Sequence, residues 1–436
     1  MKKNVIHYFT FCLVSLLVVF ILSVVPKPAV AAQKVISLES VVTGKTGNVF
    51  LKSKKEAVYT VSQPIKNVKV NLIGHSSGST IKANYNGTGK NNTPYLVSYA
   101  PGVKNITIRN ITFDLAKKGR GSLYFSKVQN LKLYNNTFTG YSKKYGYYKT
   151  DSSVLLENSK NITIEKNSFL NNGFEYSNRD GDLNRSITIQ GNASNQVKLL
   201  NNRFYKVNQA VVAMSTGMNS FQIKGNRFEQ VVDNALYLLK IGRADITNNT
   251  FLNSADEGIV ISGGTFNIYS NRATNIRNKF LAIDGTAKSV DFAYNNVVTN
   301  LASKQSRPSA ITWRPGREKS LVTKMTIRNN TFNLDTAPSN YDVFPLGNVK
   351  TFTFTNNKVI LQKLATYQKL FAFKGRATIQ SANFTKNTIT SRQKNGISTK
   401  SIFIREDAAN FTPIKKLTIK STPFRGQLPK KYKYTK

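Results

Sequence analysis

The chain has 436 residues, a formal charge of +42 and one cysteine. A charge of this size bears on partners and solubility rather than on fold, and it points to polyanions. The cysteine, Cys12, lies in the first apolar run, which excludes disulfides, thiol nucleophiles and cysteine metal sites from a processed chain.

In chain order, Lys2 and Lys3 precede an apolar run from Phe9 to Val25, and Ala29-Val30-Ala31 offers a small-residue cleavage site. These features predict a signal peptide over residues 1–31 and a secreted protein, extracellular or associated with a cell wall. Loss of Lys2, Lys3 and Lys27 with the leader leaves +39. His7 leaves too, so His75 is the only histidine of the mature chain. No later stretch has the length and apolarity of a membrane span. The expected partners are acidic polysaccharides and cell-wall teichoic acid. Nucleic acid is not expected, because no nucleic-acid module is recognisable. A monomer is expected.

Residues 32–103 read as an N-terminal cap and first coils. The stretch KNVKVNLIGHSSGSTIKA alternates apolar and polar and turns at Gly74. His75 sits in that turn and reads as structural. A solenoid exposes the apolar end of its first coil, so a covering element is expected there.

Residues 104–391 repeat. VKLLNNRF, FQIKGNRF and ADITNNTF carry marker asparagines at Asn202, Asn226 and Asn249, spaced 24 and 23 residues apart. The same marker falls at Asn136, Asn167, Asn271, Asn295, Asn330, Asn357 and Asn387, with Ile111 in its place in the earliest unit. Apolar residues one position apart give strand rather than helix period. A fixed step in the low twenties with that period predicts an all-β solenoid of about 11 coils. Each coil is expected to hold three short strands, two around the asparagine turn and a third after a variable loop. Alternation sends Leu123 and Phe125, Ile187 and Ile189, and Leu236 and Leu238 inward. Asparagine tolerates left-handed backbone in a tight turn, and its amide can bond the same amide one coil away. The markers therefore read as a structural ladder, not as glycosylation sites.

The pattern N-I-T-I-x-x-N-x-F followed by G-I-V-I-S resembles the right-handed parallel β-helix superfamily that includes the pectate lyases. The likeness covers roughly residues 60–391. It implies three parallel sheets, with the ladder between the second and third. It also implies a substrate path along the outer face of the first sheet.

The insertions TGYSKKYGYYKTDS, LNNGFEYSNRDGDLNR and VTNLASKQSRPS fall mostly in one turn, and stacked loops usually build a binding face. The first brings Tyr141, Tyr145, Tyr147 and Tyr148 beside Lys143, Lys144 and Lys149. It is the expected surface for stacking on and charge-pairing with a sugar chain. From residue 392 the repeat fades into a C-terminal cap and a basic tail, QLPKKYKYTK.

Aligning the residues before the outer strand gives two columns. One reads Asn184, Asn208, Asp233, Asp256, Asn278; the other reads Arg185, Gln209, Asn234, Glu257, Lys279. Carboxylates one coil apart repel unless a cation or a proton intervenes. Asp233, Asp256 and Glu257 are therefore candidate ligands for Ca2+, which takes oxygen donors. The plainer alternative is a polar turn neutralised by Lys279 or Arg185.

Tyr237, Lys279, Arg185, Lys206 and Arg314 are the candidate catalytic residues, and Arg307 a candidate for binding substrate. β-Elimination from a uronate needs a cation on the carboxylate, a base for the C5 hydrogen and an acid for the leaving oxygen. A basic groove without histidine suits that chemistry. The leading expectation is a secreted lyase of acidic polysaccharide. A non-catalytic glycan- or wall-binding protein remains open, as does glycoside hydrolysis through Asp233, Asp256, Glu257 and Asp284. The Asp-Pro-His-Asp and W-x-D-H elements of related enzymes are absent, and Arg314-Pro315-Gly316-Arg317 only approximates R-x-P-x-x-R. Trp313 alternates with Ile311 and is expected in the core.

Overall fold

Phenylalanine and asparagine recur at one position per turn, and each stacks on its own kind. Phe113, Phe138, Phe169, Phe204, Phe228 and Phe251 form a column with ring centroids 4.8–5.3 Å apart and nearly parallel planes. The spacing is that of hydrogen-bonded strands. The computed structural model describes residues 32–85, 95–119, 121–141, 152–172, 185–191, 196–216, 218–299, 309–314, 316–317, 320–335, 342–375, 377–405 and 413–430. Every strand pairing is parallel, and each joins one coil to the next.

Three faces result. The first holds strands such as Arg185–Gln190, Gln209–Met214 and Ser309–Trp313. The second holds strands such as Lys104–Arg109 and Gln129–Tyr134, and the third strands such as Arg203–Val207 and Arg227–Val231. The chain is a right-handed parallel β-helix. In three central coils the expected first and second strands run on as one bent strand: Leu236–Thr247, Glu257–Tyr269 and Lys279–Ala293. Glycine permits the bend. Gly263 has φ +127°, and a Cβ on Gly264 would lie 1.9 Å from the Gly242 carbonyl oxygen in the coil below.

The ladder runs from Asn136 to Asn387, with each side-chain N–H donating to the next Oδ1 at 2.9–3.2 Å. It begins where the Ile111 backbone N–H donates to Asn136 and ends on the Thr422 hydroxyl. One detail differs from expectation. The left-handed residue is the one before the marker, as at Asn201, Asn248, Asn329 and Asn356, because the marker itself points into the core at 1–2% exposure.

Pairing extends beyond the repeat in both directions. Gly47–Phe50 pairs with Val70–Ile73, and the short helix Leu38–Val42 adds two buried side chains to the core. Past residue 391, where the repeat fades, Ile414–Lys420 pairs with Ile379–Thr385. Among the described residues no helix is long and apolar enough to cross a membrane. The expected leader, residues 1–31, and the end of the basic tail lie outside the described residues.

Candidate active site

Register places the two columns where alignment expects them. Arg185 pairs with Gln209, and Glu257 with Lys279. The pairing of Val211 with Leu236 and of Leu236 with Ile259 sets Asn234 between Gln209 and Glu257. Asp233, Asp256 and Glu257 come together, with one oxygen of each within 4.8 Å of the others. Asp233 and Glu257 are buried, Glu257 to 2% exposure, and Asp256 is half-buried.

Polar neighbours hold the trio. Gln209 Nε2 donates to Asp233 Oδ2 at 2.5 Å and Asn234 Nδ2 to Asp233 Oδ1 at 2.6 Å. Asn278 Nδ2 donates to Asp256 Oδ1 at 2.5 Å. Arg185 Nε in turn donates to Gln209 Oε1 at 3.1 Å. Lys279 Nζ and Arg314 Nε both lie 3.4 Å from Glu257 Oε1, and Arg314 Nη2 is 3.5 Å from Oε2.

Burial and charge split the three acids. Burial, reinforced by the Glu257 charge and a hydrogen bond to it, pushes Asp256 up to about 8. Burial also raises Asp233, to about 6, against the opposing bond from Gln209. Burial works on Glu257 in the same direction. There the bond from Asp256 and the cations Arg314 and Lys279 outweigh it and hold the group below its usual range. The three titrate as one coupled set, in which Asp256 favours the proton and Glu257 the charge.

Tyr237 completes the face. It pairs outward with Val212 and Val260, and Val260 with Ala282, while its hydroxyl donates to Asp284 Oδ2 at 3.1 Å, two coils on. The ring therefore lies across Val260 and Ala282, two outward residues with no exposure. Arg314 sits 5.3 Å from the ring centroid, and Arg317 Nε donates to Asp284 Oδ1 at 3.2 Å.

Of the sequence candidates, Asp233, Asp256, Glu257, Lys279, Arg314, Tyr237 and Arg185 share this face. Lys206 does not. It lies on the third face with its Nζ 5.4 Å from the Tyr205 ring, because φ +52° at Lys206 belongs to the turn that precedes the first sheet. Tyr145, Tyr147, Tyr148, Lys143, Lys144 and Arg307 lie outside the described residues. Trp313 is in the core at 4% exposure, its indole N–H donating to the Ser320 carbonyl. Sequence reading assigned no role to Gln209, Asn234 and Asn278 as carboxylate holders, although they stand in the aligned columns, nor to Arg317 as a partner of Asp284.

No family model matches the chain, and no curated protein sequence matches it. Solved structures do. A tailspike protein of E. coli bacteriophage HK620 in complex with a pentasaccharide is 12% identical, with a TM-score of 0.50 over 86% of this chain and 72% of that one. The same tailspike with a hexasaccharide gives 11% and 0.49, covering 86% and 71%. The Streptococcus pneumoniae surface adhesin PfbA gives 14% and 0.38, covering 84% and 89%. At 12% identity the likeness to the tailspike's pentasaccharide complex speaks for the fold alone.

Proposed function

We propose that the chain is an exported enzyme that cleaves an acidic polysaccharide on the outer face of the first sheet, with Asp256 as its acid and Asp233, one coil away, as its nucleophile. The carrying observation is the trio itself: three carboxyl groups within 4.8 Å of one another, with two cations on one of them. Hydrolysis uses this arrangement directly. Asp256 gives its proton to the glycosidic oxygen as the bond to the anomeric carbon breaks. Carboxyls one coil apart suit a double displacement: Asp233 attacks that carbon as the leaving oxygen departs with the Asp256 proton, and a water then frees the sugar from Asp233 and returns a proton to Asp256. The tailspike's oligosaccharide complexes agree with a glycan ligand on such a fold. The charge of +42 supports an acidic one, met outside the cell or at its wall.

Elimination from a uronate is the second reading. Arg314 and Lys279 could neutralise the uronate carboxylate, and a Ca2+ on Asp233, Asp256 and Glu257 could do the same. Two observations weigh against it. The Tyr237 hydroxyl donates to Asp284, so it is not set up as a base. Three amide N–H groups and two cations already occupy the oxygens that calcium would need.

The test is product chemistry on a panel of polyuronates and glycosaminoglycans, with calcium and then with chelator. New reducing ends without ultraviolet absorbance of an unsaturated uronate, insensitive to chelator, support hydrolysis. That absorbance supports elimination. Salt-sensitive binding without any product supports a wall- or glycan-binding protein.

A further inference from the structure

We infer that the outer face of the second sheet, at the N-terminal end of the solenoid, carries a separate binding site for an acidic oligosaccharide. A trough of about 400 Å³ lies there across the strands Gly47–Phe50, Val70–Ile73, Lys104–Arg109 and Gln129–Tyr134. Two outward rows line it. One runs Asn48, Asn71, Thr107, Lys132; the other runs Phe50, Ile73, Arg109, Tyr134.

The lining is unusual for a solvated sheet face. Phe50 is 71% exposed, although burying an aromatic ring is among the larger single gains in folding. Three coils along the row, Tyr134 is flanked by Lys132 at 5.1 Å and Lys166 at 5.3 Å from its ring. Arg109 stands between the two aromatics. Neither Arg109 nor Lys132 has a carboxylate partner among the described residues. The acid nearest in register, Glu165, pairs with Tyr134 one coil beyond the trough.

Polar contacts are also preset. Asn71 Nδ2 donates to Asn48 Oδ1 at 2.8 Å, and the Thr107 backbone N–H donates to Asn71 Oδ1 at 2.7 Å. Among the described residues the Asn48 amide N–H groups meet no acceptor and are open to a ligand. A pyranose matches this surface: its C–H face covers an aromatic ring, its hydroxyls meet amides, and its carboxylate meets an unpaired cation. With coils about 4.8 Å apart, the rows span roughly 14 Å, room for a short run of sugar units. A charge-only docking surface would not need Phe50.

The test is titration calorimetry of the whole chain carrying Asp256→Asn, so that the probe is not consumed. The probes are a galacturonate tetramer, the neutral maltotetraose and poly(glycerol phosphate). The expected result is a tetramer-binding event weakened about tenfold or more by Phe50→Ala, and also by Arg109→Ala with Lys132→Ala. Any binding at the carboxylate cluster should stay unchanged in these variants. Phe50 is exposed, so its variant should melt like the parent. Unchanged tetramer binding in both variants overturns the site. Equal affinity for maltotetraose overturns the acidic ligand. Loss of poly(glycerol phosphate) binding alone assigns the trough to a phosphate polymer and also overturns it. A chain that makes no product from any polymer yet shows the Phe50-dependent event overturns the enzyme reading and leaves this site standing.

Discussion

Arg314 reaches back across two coils to Glu257, a partner 57 residues earlier, and meets both carboxylate oxygens, with Nε at 3.4 Å and Nη2 at 3.5 Å. Glu257 is nearly buried, so its charge depends on this contact and on Lys279. Breaking a buried pair by removing one partner costs about 3–5 kcal/mol, because the other charge is left uncompensated. Arg314→Ala should therefore lower both stability and turnover. Arg314→Lys should restore little, since an ammonium cannot meet two oxygens in a fork. Denaturation midpoints and initial rates of the two variants check this. Full activity in Arg314→Ala would remove Glu257 from the mechanism.

Glycan cleavage should follow a bell-shaped pH profile. Asp256 must keep its proton, so the rate falls as pH rises through about 8. Asp233 must be ionised to attack, so the rate also falls below about 6. Asp256→Asn should lose turnover by about 10²-fold or more. A profile flat from pH 5 to 9, read as reducing-end release, would contradict the assignment.

Stability should move with pH in a defined direction. Asp256 and Asp233 bind protons more tightly folded than unfolded, so the folded state carries more protons between the ordinary aspartate value and their raised ones. Stability then falls as pH rises through that window. At pH above 8 the buried charge of Asp256 is fully present. Asp256→Asn removes it and should melt higher than the parent by about 2 °C or more. A lower melting temperature for the variant at that pH would contradict the burial of this group.

The internal ladder should be far costlier to break than the exposed asparagines. The Asn226 side-chain N–H groups donate to Leu199, Lys224 and Asn249, and its Oδ1 accepts two bonds from Asn202. Asn226→Ala strands buried partners on both sides and should cost about 2–4 kcal/mol. Asn161→Gly removes one exposed bond to Asn130, keeps a backbone of φ +57° that glycine adopts freely, and should cost under about 0.5 kcal/mol. Chemical denaturation of both variants tests the contrast.

Gly264→Ala should disturb the site without touching it. Its Cβ would stand 1.9 Å from the Gly242 carbonyl oxygen, so two coils must separate at the bend of the strand that begins at Glu257. The expected outcome is a lower melting temperature together with lost turnover. A variant that keeps both would show that the bend relaxes without moving Glu257.

The sequence by itself determined the coil, its ladder and the two columns of the site. Each depends on residues repeated at a fixed step. Once the marker asparagines set the register, Asp233, Asp256 and Glu257 had to fall on neighbouring coils. Side-chain reach along the solenoid was decided only in three dimensions. Tyr237 meets Asp284 two coils away, and Arg314 reaches back to Glu257, because long side chains lie flat over the small residues Val260 and Ala282. Lys206 sits close to Gln209 in the chain, yet a left-handed turn leaves it on another face. A proton among the carboxylates was foreseeable from their spacing, but its preference for Asp256 was not. It follows from burial beside a carboxylate already claimed by two cations, a property of the packed site and of no single residue.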